Sequence, residues 1–196
     1  MNVYILLDRS GSMAGLWDEA LGSINSYVAK LKKKDKVVVA TFDNEYEVIR
    51  DCKVEGWDDI TNEDAQPRGM TALYDSCGKI MTKAEADGKK KTILVVMTDG
   101  HENCSREYNQ SAIKAKVQQF EANGWEVVFL GANFDSVATV SGSVGVSFDK
   151  TMNISASNLR STMDSFSLKS AAYASAGAPI VFNDQDRKMA VNQNGN

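Results

Sequence analysis

The sequence opens on Val3-Tyr4-Ile5-Leu6-Leu7, followed directly by Asp8-Arg9-Ser10-Gly11-Ser12. Five consecutive apolar residues predict a strand that is covered on both faces, as central strands of parallel sheets are. The residues that follow bring one carboxylate and two hydroxyl groups to the point where this strand ends. Aspartate, serine and glycine are also typical of helix N-caps and turns, so the motif alone is consistent with either a cation-binding loop or a cap.

Similar apolar runs alternate with helical patterns along the rest of the chain. The predicted buried strands lie at 3–7, 36–42, 92–98 and 125–131. This alternation predicts right-handed crossovers and an α/β fold, a Rossmann-like, doubly wound three-layer sandwich with a mainly parallel sheet. The link Asp43-Asn44-Glu45 is too short for a parallel crossover. We therefore expect the strand that starts at Tyr46 to run antiparallel at the edge of the sheet.

Two downstream positions add oxygen atoms to the first motif. Thr71 follows a long polar connection, and Asp99 follows the apolar run 92–97. Hydroxyl and carboxylate oxygens suit a hard divalent cation, whereas Zn²⁺ would favour Cys and His. The expected ion is Mg²⁺, with Mn²⁺ or Ca²⁺ as alternatives. The candidate metal ligands are Asp8, Ser10, Ser12, Thr71 and Asp99.

The combined pattern resembles the von Willebrand factor A (VWA) domain and its metal-ion-dependent adhesion site (MIDAS). It consists of Asp-x-Ser-x-Ser after the first strand, an isolated Thr before a helix and Asp-Gly after a later strand. The resemblance covers roughly the first 150 residues and is closest to stand-alone bacterial and phage versions. It implies a six-stranded sheet of order 3-2-1-4-5-6 with strand 3 reversed.

The resemblance also implies roles for the five candidate ligands. Ser10, Ser12 and Thr71 would contact the ion directly or nearly so, while Asp8 and Asp99 would hold it directly or through waters. One coordination position would remain open for a partner protein.

Composition narrows the remaining choices. The chain has 196 residues, 43% of them hydrophobic and 24% charged, which is typical of one soluble domain. We place that domain at 1–175 and interpret 176–196 as a polar C-terminal tail or docking arm. The apolar runs are shorter than the about 20 residues that cross a membrane, so no membrane association is expected. A net charge of −4 argues against nucleic-acid binding.

The opening residues show no signal-peptide pattern, and the cysteines form no CxxC pair. We therefore expect reduced thiols in a cytoplasmic protein. The cysteines are Cys52, Cys77 and Cys104.

The leading functional hypothesis is a non-enzymatic, metal-dependent module that captures an Asp or Glu side chain of a partner protein. Intracellular members of the resembling family serve larger assemblies, so an AAA-type ATPase complex is a candidate partner. A Mg²⁺ phosphohydrolase of the haloacid-dehalogenase type is an alternative, although Ser10 stands where that family has its general acid. A second alternative is a structural assembly protein whose cation only stabilises the fold. His101 is interpreted as a solvated residue beside the site, and the oligomeric state is left open.

Overall fold

Six strands form one mostly parallel sheet at the centre of the molecule. The computed structural model describes residues 1–88, 90–132 and 141–192, and side chains as far as Lys188. The sheet order is β3-β2-β1-β4-β5-β6, in which β3 runs antiparallel to β2 and the other neighbours are parallel. The strands are β1 (Asn2–Asp8), β2 (Lys36–Phe42), β3 (Tyr46–Lys53), β4 (Thr92–Thr98), β5 (Glu126–Ala132) and β6 (Thr151–Ile154). The predicted fold class and its antiparallel edge strand are confirmed.

Helices cover both faces of this sheet. They are α1 (Trp17–Val28), α2 (Leu73–Ala86), α3 (Gln110–Ala122), α4 (Leu159–Ala176) and α5 (Asp184–Asn192). In β1, Val3 and Ile5 face a core formed with α1 and α4. Tyr4 and Leu6 face the second core, formed with α2 and α3. Because successive side chains of a strand point to opposite faces, a strand between two cores has no polar side, which explains the unbroken apolar run.

A tight hairpin turn makes the antiparallel edge. The main-chain N–H of Asp43 donates to the Glu45 carbonyl over 3.0 Å, and the Asp43 carboxylate accepts from the Glu45 N–H over 2.7 Å. An aspartate that bonds the main chain two residues ahead mimics a turn, so this residue type favours the reversal.

The segment after α4 packs back onto the domain. Ile180 and Phe182 are buried in the core on the α1 and α4 side of the sheet. On α5, the Asp186 carboxylate accepts from the Ser165 hydroxyl over 2.7 Å and forms an ion pair with Lys169. The region interpreted from sequence as a tail thus contains a packed segment, and its last residues, 193–196, lie outside the described residues. Among the described helices, none is both long and apolar enough to cross a membrane.

Candidate metal centre

The first part of the candidate site forms where β1 and β4 end side by side. These neighbouring strands are parallel, so Asp8 at the end of β1 and Asp99 just after β4 emerge at the same edge of the sheet. The Asp8 carboxylate accepts from the Ser10 N–H over 2.7 Å, which turns the loop back on itself. The hydroxyls of Ser10 and Ser12 lie 3.1 Å apart, and that of Ser12 donates to Asp99 over 2.7 Å. The two serines therefore connect the two strand ends.

Thr71 lies next to Gly100, close to the carboxylate of Asp8. A Cβ atom on Gly100 would lie 3.0 Å from the Thr71 hydroxyl oxygen and 3.6 Å from an Asp8 carboxylate oxygen. Gly100 therefore lies close to both oxygens, and a side chain at this position would crowd the Thr71 hydroxyl. Asp8, Ser10 and Thr71 are all buried, whereas Ser12 is exposed and Asp99 is partly exposed. The structure thus brings all five residues predicted from the sequence together at one end of the sheet.

Main-chain hydrogen bonds hold the segment before Thr71 against the first motif. The Arg68 N–H donates to the Arg9 carbonyl over 2.6 Å, and the Gly11 N–H donates to the Gly69 carbonyl over 3.4 Å. The Arg68 guanidinium also donates to Asp43 over 2.8 Å, which ties the segment to the β2–β3 turn. Gly69 has a φ of +71°, a conformation that L side chains rarely adopt. This packing explains how a long connection places a threonine beside Asp8.

The start of α2 is capped by a loop that is distant in sequence. Its N-cap residue, Ala72, has no side-chain cap to offer. Instead, the Asn103 side chain accepts from the Thr71 N–H over 2.9 Å, and the Glu102 carboxylate accepts from the Tyr74 N–H over 2.9 Å. The Glu102 carboxylate satisfies an N–H group that the start of the helix leaves without a partner, and Asn103 holds the main chain just before the N-cap residue. The loop that follows Asp99 therefore fixes the main chain at Thr71.

Asp75, in the first turn of α2, also binds the loop that follows Asp99. Its own N–H donates to the Ser105 hydroxyl over 3.1 Å. Its carboxylate accepts from three successive main-chain N–H groups over 2.8 to 2.9 Å, those of Arg106, Glu107 and Tyr108. We refer to Asp75, Glu102, Asn103 and Ser105 as the capping network. Through it, several hydrogen bonds join the two chain segments that carry Thr71 and Asp99.

The electrostatics of the site centre on Asp8, which is fully buried. Burial raises the pKa of this carboxyl to about 6, Asp99 adds to the rise, and hydrogen bonds from Thr98 and Ser10 oppose it. Among the described residues, no lysine or arginine forms an ion pair with Asp8 or Asp99. Arg9, the next residue in sequence, pairs with Glu47 instead. Within residues 1–88, 90–132 and 141–188, the buried carboxylate therefore lacks a cationic partner.

The donor set fits a hard divalent cation. Two carboxylates and three hydroxyls converge, and all of their ligand atoms are oxygen. The part of the chain that the structure describes has no cluster of three or more His, Cys, Asp or Glu side chains arranged to hold a metal. A centre built largely from hydroxyl oxygens does not require such a cluster. Metal binding by these five residues remains a prediction.

Sequence reasoning missed Thr98, the last residue of β4. Its hydroxyl donates to the Asp8 carboxylate over 2.5 Å in a buried environment. A hydroxyl residue that ends an otherwise apolar strand next to the ligand Asp99 is a signal that could have identified it. The exposed side chain of His101 agrees with its interpretation as a solvated residue.

The sequence profile of the von Willebrand factor type A domain matches residues 2–166. The chain belongs to this family. Most of the chain, including all five candidate ligands, lies within the matched region of the VWA domain.

Solved structures share the fold of this VWA domain at low sequence identity. The von Willebrand factor type A protein from Catenulispora acidiphila has a TM-score of 0.63 at 14% identity, covering 86% of this chain and 42% of that chain. The domain of the type V pili tip protein Mfa5 from Porphyromonas gingivalis has a TM-score of 0.68 at 11% identity, covering 90% and 97%. Proximal thread matrix protein 1 from the mussel byssus, whose MIDAS motif holds zinc, has a TM-score of 0.62 at 14% identity, covering 85% and 44%.

These likenesses concern the fold alone. This chain spans less than half the length of the Catenulispora and mussel chains. No curated protein sequence matches it.

Proposed function

We propose that this VWA domain is a metal-dependent protein-binding module. The observation that carries the proposal is the buried Asp8 carboxylate, which lies beside a second carboxylate and three hydroxyls. It has no cationic partner in the part of the chain that the structure describes. The residues that would hold the ion are Asp8, Ser10, Ser12, Thr71 and Asp99.

The oxygen ligands favour Mg²⁺, with Mn²⁺ or Ca²⁺ as alternatives. When bound, such an ion offers an open coordination position to an anionic oxygen. The protein's part is to hold its own oxygens in place. Thr98 fixes one oxygen of Asp8, the Ser10 N–H fixes the other, and Ser12 fixes Asp99. A carboxylate from a partner's Asp or Glu would complete the site.

The cellular setting is also proposed. The free cysteines Cys52, Cys77 and Cys104 support a reducing, cytoplasmic location. An AAA-type ATPase complex is one assembly in which an intracellular VWA domain would find its partner. We assign the domain no catalytic role, because Ser10 occupies the position where a dehalogenase-type phosphohydrolase carries its acid.

Calorimetric titration of the full chain with Mg²⁺, Mn²⁺ and Ca²⁺ tests the proposal. We expect saturable binding that is lost in Asp8→Ala and kept in the surface variant Asp164→Ala. With Mg²⁺ bound, the wild type should then bind N-acetyl-aspartate amide, and EDTA should abolish this binding.

The other candidate functions give different outcomes. Hydrolysis of p-nitrophenyl phosphate that is lost in Asp8→Asn would favour the phosphohydrolase. Metal binding and thermal stabilisation without any carboxylate binding would favour a purely structural cation. Absence of metal binding in the wild type would contradict the proposal directly.

A further inference from the structure

A groove opens beside Thr71 on the α2 side of the sheet. Its volume is about 660 Å³, and it lies between the β2–β3 turn, the first turns of α2 and the loop at 104–107. Gly69, Met70 and Ala72, which flank Thr71 in the chain, also line it. The groove therefore lies beside the chain segment that carries Thr71.

Part of the lining of the groove is apolar. Met70 is 50% exposed although it directly precedes Thr71. Tyr46, Ala72 and Cys104 line the groove with it. Methionine is flexible and polarisable, so its side chain adapts to apolar ligands of different shape. An apolar side chain of a bound segment would remove this surface from water.

Most charged side chains that line the groove have partners among the described residues, and Arg106 is the exception. Glu45 pairs with Arg68 over 2.7 Å, and Lys79 pairs with Glu107 over 2.8 Å. The carboxylate of Asp75, which also lines the groove, accepts hydrogen bonds from three main-chain N–H groups. Arg106 is exposed, and its guanidinium makes no ion pair or hydrogen bond with the described residues. The groove therefore complements an anionic group at Arg106.

The two walls of the groove are joined through Asp75. The Arg106 N–H donates to the carboxylate of Asp75, which lies in the first turn of α2. Because the capping network joins α2 to the loop at 104–107, the two walls are held in place before a ligand binds.

We propose that the groove binds the partner segment adjoining the carboxylate held by the metal. This segment carries an apolar side chain that contacts Met70 and a second acidic group that pairs with Arg106. The inference rests on the proposed function, since the metal-bound carboxylate sets the position of the segment.

Two peptides test it with the full chain in saturating Mg²⁺. Acetyl-Asp-Leu-Glu-amide carries both additional groups, and acetyl-Asp-Gly-Gln-amide carries neither. We expect the first to bind about tenfold more tightly by NMR titration, because it adds an apolar contact and an ion pair. Both complexes should dissociate in EDTA.

Substitutions in the groove should remove this preference. Arg106→Gln and Met70→Ser should each reduce the difference between the peptides severalfold without changing Mg²⁺ affinity. Matched controls are Arg160→Gln and Leu168→Ser, at exposed positions on α4 on the other face of the sheet. These controls should leave the preference as it is in the wild type.

The outcomes separate the two proposals. Equal affinity of the two peptides in the wild type, or an undiminished preference in both groove variants, would overturn the groove assignment and leave metal-dependent capture standing. If neither peptide binds in Mg²⁺, or if binding persists in EDTA, the proposed function fails and the groove assignment fails with it.

Discussion

At the scale of single residues, Asp8 combines burial with a missing counter-ion. It accepts hydrogen bonds from Thr98 and Ser10 but has no cationic neighbour among the described residues. A carboxylate in this setting is costly to ionise unless a cation binds. The same residue should therefore govern metal affinity and the pH dependence of stability.

Replacing this carboxylate should stabilise the metal-free protein. The folded-state pKa of Asp8 is raised from 3.8 to about 6, so ionisation opposes folding. The protonated carboxyl stabilises the fold relative to the ionised one. This stabilisation is fully present below pH 3.8 and is lost as the pH rises through 6. We expect Asp8→Asn in EDTA at pH 7.5 to raise the free energy of unfolding by about 3 kcal/mol, because each unit of the rise in pKa corresponds to about 1.4 kcal/mol. Urea denaturation measures it, and the gain should disappear near pH 3.5.

Protons should compete with the metal at the same residue. Because the pKa of Asp8 is about 6, a metal that needs the ionised carboxylate must displace a proton at lower pH. We expect the apparent Mg²⁺ affinity to be nearly constant above pH 7. Below pH 6 it should fall by about tenfold per pH unit. Calorimetry across this range checks the prediction, and an affinity unchanged down to pH 5 would exclude a direct role for ionised Asp8.

Gly100 should be required for the metal centre because of its missing side chain. In Gly100→Ala, the new Cβ would lie 3.0 Å from the Thr71 hydroxyl oxygen and would push it away. We expect Mg²⁺ affinity to fall by about tenfold, equivalent to about 1.4 kcal/mol. Gly22→Ala in α1 is the matched control, since nothing lies within 4 Å of its Cβ position. Equal affinities in the two variants would contradict this placement of Thr71.

At the scale of elements, the metal centre depends on how α2 is joined to the loop after β4. The helix has no side-chain cap from its own N-cap residue, and residues about 30 positions away supply the acceptors. Asp75 returns three hydrogen bonds to that loop. Thr71 and Asp99, which belong to different elements, are held in fixed relative positions in this way.

Weakening the capping network should weaken metal binding from a distance. Glu102→Gln replaces a carboxylate that accepts from Tyr74, Cys104 and Ser105 with a side chain that accepts less well. We expect Mg²⁺ affinity to fall severalfold while the circular dichroism spectrum stays unchanged. Glu107→Gln in the same loop is the control, because that carboxylate is exposed and pairs with Lys79. A spectroscopic readout is the electron paramagnetic resonance line shape of bound Mn²⁺, which should broaden in Glu102→Gln alone.

At the scale of the whole molecule, the candidate site lies where the connections of β1 and β4 leave in different directions. β1 continues toward α1 and β4 toward α3, and these helices cover opposite faces of the sheet. A crevice between such connections is the usual ligand site of open α/β sheets. Because both central strands end there, metal binding is coupled to the stability of the whole domain.

Mg²⁺ should therefore stabilise the entire fold. At a concentration one hundred times the dissociation constant, we expect about 2.7 kcal/mol of added stability. For a domain of this size, this corresponds to a rise in Tm of about 5–10 °C. Differential scanning calorimetry with Mg²⁺ and with EDTA measures the difference. It should vanish in Asp8→Ala, and a shift of the same size in that variant would place the stabilising ion elsewhere.

The sequence by itself determined the fold class, the antiparallel edge strand and the set of candidate ligands. The apolar run before Asp8 and the short link at Asp43 are local patterns, and local patterns report burial and chain reversal. Only the tertiary structure decided that Glu102 caps α2, that Asn103 holds the main chain at Thr71 and that Thr98 supports Asp8. It also decided that a groove lies beside the segment carrying Thr71, with an Arg106 side chain that forms no ion pair with the described residues. These features join residues that are distant along the chain. Their contacts depend on how helices pack against the sheet, and no periodicity in the sequence encodes that packing.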